Sequence, residues 1–185
     1  MDATPTQTPT DGPDYPRHLI EDWRLPDGTQ VIIRPIRPED LALETAFVAG
    51  LSRETGYRRL LSPRQLQPDE LWRFTHIDYE WELALIATAH IAGAEQQLAV
   101  ARYVRDCQGE QAEFAIVVGD AWQASGLGTK LLQSLIRAAA QAGVRRLSAS
   151  TLSSNEGMLA LARKLGFQLL RDPGDMTVTY LSMTL

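Results

Sequence analysis

The segment Val117-Val118-Gly119-Asp120-Ala121-Trp122-Gln123-Ala124-Ser125-Gly126-Leu127-Gly128-Thr129-Lys130 has the residue types of an anion site. An apolar strand runs through a short loop into a helix. The first turn of a helix carries backbone N–H groups with no intrahelical acceptor. Its aligned peptide dipoles favour negative charge at the same place. Gly126 and Gly128 lack a Cβ, so a phosphate can approach the chain closely. Thr129 adds a hydroxyl donor. Gln123, Ala124, Ser125, Gly126, Leu127, Gly128 and Thr129 therefore read as a phosphate cradle. Two glycines before a helix are weakly specific. The P-loop ending Gly-Lys-Ser/Thr is missing. The dinucleotide fingerprint is missing too, since only two of its three glycines are present and the strand before them sits in a meander.

The elements that must hold this turn follow from hydrophobic spacing. Trp23 to Ile33 reads as two strands around Asp27-Gly28, a dipeptide that tolerates the positive φ of hairpin turns. Glu39-Asp40 opens a helix, with Leu41, Leu43, Phe47 and Leu51 at roughly helical spacing. Pro68-Asp69-Glu70-Leu71 opens another. Leu83–Ala89, Gln97–Val104 and Glu113–Val118 read as a three-strand antiparallel meander. From Leu127 the apolar residues Leu131, Leu132, Leu135, Ile136 and Ala139 share one helix face, and Gly143 ends it. Val144–Thr151 is a further strand. Asn155 caps a helix carrying Met158, Leu161, Ala162 and Leu165, stopped by Gly166. Phe167–Leu170 and Val178–Met183 supply the last strands. The expected fold is α+β, one domain over residues 15–185 with a central, mostly antiparallel mixed sheet flanked by helices. Residues 1–14 offer little to bury and read as a disordered tail.

Composition narrows the function. The chain has 185 residues, 44% hydrophobic and 22% charged, which suits one globular domain. A net charge of -5 argues against a general nucleic-acid binder. Leu83–Ala94, interrupted by Thr88 and His90, is too short to span a membrane. The start has no signal-peptide pattern, so a cytoplasmic location is expected. The single cysteine, Cys107, cannot form an internal disulfide and reads as a loop thiol. His18, His76 and His90 have no ligand spacing, so no metal is expected. Tyr57-Arg58-Arg59 reads as a solvated helix face.

Gln123-x-x-Gly126-x-Gly128 after an apolar strand resembles the acyl-CoA signature of the GNAT acetyltransferases. Asn155-x-x-Met158-(x)5-Lys164-x-Gly166-Phe167 resembles that family's second signature, in the right order. Arg34-Pro35-Ile36-Arg37-Pro38-Glu39-Asp40, Ile77-Asp78-Tyr79, Ala112-Glu113-Phe114-Ala115 and Leu159–Phe167 resemble the GNAT domain of bacterial protein lysine acetyltransferases. The resemblance covers about residues 30 to 183. It implies acetyl-CoA as co-substrate and an acceptor amine, either a protein lysine or a small molecule. Nucleic acid and membrane are not implied partners.

The implied reaction is direct attack of the amine on the thioester. An amine of pKa about 10.4 is protonated at neutral pH and needs a general base. The resemblance puts Glu113 in that role; neighbours Phe114, Ala115 and Ile116 are expected to desolvate it and raise its pKa. A solvated strand-end glutamate is the competing reading. The backbone of Ile116, Val117 and Val118 is implied to pair with the pantetheine arm, and Asn155 to contact it or only to cap its helix. Where many GNAT enzymes carry a general-acid tyrosine, this chain has Ala162. A thiol pKa of about 8.5 makes an unassisted thiolate a tolerable leaving group. A non-catalytic acyl-CoA sensor would share the cradle and need no base.

Overall fold

The computed structural model describes residues 14–60, 64, 66–172 and 174–185. Apart from Asp14, the tail expected over residues 1–14 lies outside the described residues. The strands are β1 (Glu21–Arg24), β2 (Gln30–Pro35), β3 (Glu82–Ile91), β4 (Ala94–Arg105), β5 (Gln111–Val118), β6 (Arg146–Leu152), β7 (Gln168–Arg171) and β8 (Val178–Thr184). The helices are α1 (Leu41–Ala49), α2 (Arg53–Leu60), α3 (Pro68–Thr75), α4 (Leu127–Gln141) and α5 (Glu156–Leu165). The strands form one sheet in the order β1-β2-β3-β4-β5-β6-β8-β7. Every neighbouring pair is antiparallel except β5 and β6. A parallel pair needs a long crossover, and α4 supplies it. The expected α+β fold, with a mostly antiparallel mixed sheet, is the observed one.

The two sheet faces carry different cores. On one, Leu131, Leu132 and Leu135 of α4 and Leu159 and Ala162 of α5 pack on Leu85, Ala101, Phe114 and Leu147. On the other, Phe47 of α1 packs with Ala84, Ile86, Val100 and Val117. Alternation along β5 explains the division: Phe114 and Ile116 point to the first face, Val117 to the second. The α4 stripe and both helix stops fall as the spacing predicts.

Helix α1 departs from expectation. Leu41, Leu43 and Leu51 are only half-buried, and the buried positions are Glu44 and Phe47. Glu44 is tolerated there because Gln97 Nε2 donates to its Oε2 at 2.5 Å and a bonded polar group escapes most of its burial cost. The helix is anchored at its start by a buried ion pair. Arg34 Nη1 and Nη2 donate to Asp40 Oδ2 and Oδ1 at 2.6 and 2.7 Å. Among the described residues, no helix is long and apolar enough to cross a membrane.

Candidate active site

The parallel ladder between β5 and β6 is short. It pairs Gln111, Ala112 and Glu113 with Arg146, Leu147 and Ser148, then stops. Each strand continues with its other neighbour, β5 with β4 as far as Val118 and β6 with β8 as far as Leu152. The two strands therefore splay apart in the middle of the sheet. Phe114 to Val118 are left with an open backbone edge facing the gap, a row of donors and acceptors able to pair with an extended chain. The gap opens into a cleft of about 500 Å³. Phe114–Val118 line one wall and Ala149, Ser150 and Thr151 the other.

The glycine turn closes one end of the cleft. Its path needs left-handed backbone at Ala124 (φ 59°) and at Gly126 (φ 89°); only the second is relieved of a Cβ. Gly128 lies where α4 meets β5. A Cβ there would sit 3.3 Å from Val118 Cγ2 and 3.8 Å from Leu161 Cδ2. Its absence brings the α4 N-terminus against the open strand edge. The N–H groups of Gly128 and Thr129 belong to the helix's first turn, which has no intrahelical acceptors for them, and both residues line the cleft.

Side chains lock the turn to α2. Gln123 Nε2 donates to Val118 O and to Thr55 Oγ1, both at 3.2 Å. Asp120 accepts from Ser52 N–H at 2.9 Å, Ser52 Oγ at 2.7 Å and Thr55 Oγ1 at 2.7 Å. These bonds, the one from Ser52 N–H foremost, hold the Asp120 carboxyl below its usual pKa. The clamp carries Arg58 and Arg59 into the cleft lining.

The structure brings most of the expected residues together. Ile116, Val117, Val118, Gln123, Ala124, Gly126, Gly128, Thr129 and Asn155 all line the cleft. Ser125 and Leu127 do not. Ser125 Oγ donates to Trp122 O at 2.6 Å and accepts Leu127 N–H at 3.3 Å, which shapes the turn. The Leu127 side chain is fully buried in the core. Asn155 does two things: its Oδ1 accepts Met158 N–H at 3.2 Å, and its Nδ2 donates to Thr151 Oγ1 at 3.2 Å. Glu113 occupies the last paired position before the splay but is exposed and outside the cleft lining. The desolvation expected from its neighbours is absent, because alternation turns Phe114 into the core and Glu113 to the other face.

Ala162 is fully buried. Cys107 is exposed, as expected of a loop thiol. His76 stacks on Trp72 with ring centroids 4.0 Å apart. Among the described residues no group of His, Cys, Asp or Glu could hold a metal. Sequence reasoning misses Thr55 altogether and reads Arg58 and Arg59 as a solvated helix face, whereas all three line the cleft. The signal was present: Thr55 and Arg59 are four residues apart and share a helix face.

The arrangement suits an extended, amide-bearing ligand with an anionic end: anion-favouring N–H groups at one end, an open strand edge along the middle. The model of the acetyltransferase (GNAT) domain matches residues 30–168. The chain is 34% identical over 161 residues to an acetyltransferase of Pseudomonas aeruginosa, covering 86% of each protein. It is 31% identical over 153 residues to acetyltransferase Pat of Mycolicibacterium smegmatis, covering 82% of this chain and 45% of that protein. The crystal structure of the GNAT domain of S. lividans PAT superimposes with a TM-score of 0.84 at 31% identity, covering 93% of this chain and all 100% of that one. The structure of yncA from Salmonella typhimurium, solved with its cofactor acetyl-CoA, shares the fold with a TM-score of 0.66 at 22% identity, covering 84% of this chain and 94% of that one.

Proposed function

The chain belongs to the GNAT acetyltransferase family and is an N-acetyltransferase, and from this premise we propose that it transfers the acetyl group of acetyl-CoA to a protein lysine side chain, with Glu113 as general base. The observation that carries this reading is the splay of β5 from β6 ending on the glycine turn. The residues present fit an acyl-CoA. Gly126 and Gly128 put no Cβ at two positions of the cradle, and Thr129 adds a hydroxyl. Alternation turns the backbone groups of Ile116 and Val118 away from β4 toward the gap, where those of Ile116 can pair with the amides of a pantetheine arm; Val117 bonds to β4, and Val118 O already accepts from Gln123 Nε2. When bound, the co-substrate supplies an acyl group activated as a thioester.

Glu113 stands where the ladder ends, beside the mouth of the cleft. A lysine amine, of pKa about 10.4, must lose a proton before it can attack, and a carboxylate at this place is able to take it. Buried Ala162 brings no acid to the leaving sulfur. The open surroundings of Glu113 favour a large acceptor over an enclosed small molecule: Val104, its partner across the strands, is 48% exposed. The sequence resemblance to bacterial protein lysine acetyltransferases supports the same acceptor. The likeness to the Mycolicibacterium protein extends over less than half of its length.

The proposal is tested by titrating the protein with acetyl-CoA in a calorimeter, then following free thiol with lysine-bearing proteins and with small amines. Saturable binding with thiol release on proteins is expected. Release only with small amines would move the acceptor to that class. Binding without release on either panel would favour a sensor.

Gly126→Asp is expected to weaken acetyl-CoA binding roughly tenfold to a hundredfold. The substitution puts a Cβ at φ 89°, which costs about 1–2 kcal/mol, and sets a carboxylate against phosphate charge. Unaltered affinity would place the coenzyme elsewhere.

A further inference from the structure

Arg59 lines the cleft, yet among the described residues it makes no hydrogen bond and no ion pair. Its neighbour Arg58 is engaged with Glu54 on the same helix. The Arg59 guanidinium lies 6.0 Å from the centre of the Phe74 ring. The same ring carries Arg102 at 4.1 Å, whose Nη2 donates to Phe74 O at 3.0 Å. Burial pushes the pKa of both arginines down, that of Arg102 to about 10. The carboxylate that acts on both is Glu44, itself 2% exposed and already bonded to Gln97. A guanidinium carries five N–H donors in a planar fork. Left partly desolvated and without an acceptor, that fork favours an anionic ligand.

The position of Arg59 selects the ligand. Arg102 is the cross-strand partner of Ala115, three residues from Val118 at the cradle end, about 10 Å at ordinary strand rise. Arg59 lies one helical turn, about 6 Å, beyond Thr55, the residue tied to Asp120 and Gln123 at the cradle end. Arg59 is thus displaced from the glycine turn toward the reacting end. It lines the cleft interior, whereas Glu113, on the acceptor side, lies outside that lining. We propose that Arg59 is a carboxylate subsite for the distal end of a dicarboxylic acyl group, such as succinyl, carried into the cleft on coenzyme A. The proposal rests on the acyl-CoA reading of the cleft and adds the class of acyl donor.

Calorimetry on the whole chain with succinyl-CoA and acetyl-CoA tests it, using the wild type, Arg59→Gln and Arg59→Lys. The wild type is expected to bind succinyl-CoA roughly tenfold to a hundredfold more tightly, the range of a charge-assisted hydrogen bond. Arg59→Gln is expected to erase that preference and keep the acetyl-CoA affinity, with Arg59→Lys in between. A wild type that binds both donors alike overturns the proposal without any variant. Equal weakening of both donors in Arg59→Gln, restored by Arg59→Lys, assigns the residue to the coenzyme phosphates and also overturns it. Failure to bind either donor defeats the acyl-CoA reading itself.

Discussion

Glu113→Gln is expected to lower turnover by roughly 10²–10⁴-fold, the usual worth of a positioned general base, while acetyl-CoA affinity stays at its wild-type value. The amide keeps the shape of the side chain and removes its capacity to accept the ammonium proton. Glu113 lies outside the cleft lining, so the coenzyme loses no contact. The residue is exposed at the end of a short ladder, so the fold loses little. A thiol-release assay at saturating acetyl-CoA, paired with calorimetry, separates the two quantities. A fall in turnover with unchanged affinity is the signature of a group that acts in the chemical step. Equal turnover in the variant would remove Glu113 from the mechanism and leave the amine to deprotonate into water. Because the carboxylate is solvated, its usefulness as a base rests on placement beside the amine.

Asp40→Ala is expected to destabilise the fold by about 3–5 kcal/mol, the cost of stranding one member of a buried ion pair. Arg34 and Asp40 are 6% and 3% exposed. Two hydrogen bonds join them, and Asp40 Oδ2 also accepts Arg37 N–H at 2.8 Å. Glu95 Oε1, 3.3 Å from Arg34 Nη2, is a longer and more exposed contact, too weak to replace Asp40. Chemical denaturation of the variant reads the loss directly. Arg34→Met/Asp40→Leu is expected to recover part of it. The double variant removes both charges but leaves Arg37 N–H without its acceptor. A loss below about 1 kcal/mol in Asp40→Ala would mean that water reaches Arg34 and solvates it. The pair matters to the site because it sets the start of α1, which carries Phe47 and Glu44 beneath Arg59 and Arg102.

Short-range physics wrote most of this architecture into the sequence. Alternating and helical apolar spacing marked the strands and helices, Gly143 and Gly166 marked helix ends, and Asn155 marked a cap. The cradle was legible for the same reason: Gln123 to Thr129 are contiguous, and the donors at a helix start depend only on local backbone. What residues do across the sheet was decided by tertiary structure. The β5–β6 splay depends on two strands 35 positions apart in register, Glu113 against Ser148, ceasing to pair. Glu44 is buried because Gln97 reaches it from 53 residues away. Arg59 faces the cleft because Asp120 and Gln123 pin α2 to the loop before α4. The sequence by itself determined the elements, the family signatures and the phosphate-favouring turn. Only the tertiary structure decided that Glu113 is exposed while Arg59 is partly buried in the cleft lining, because desolvation is set by chain segments that meet in space, and neighbours in sequence do not foretell which ones they are.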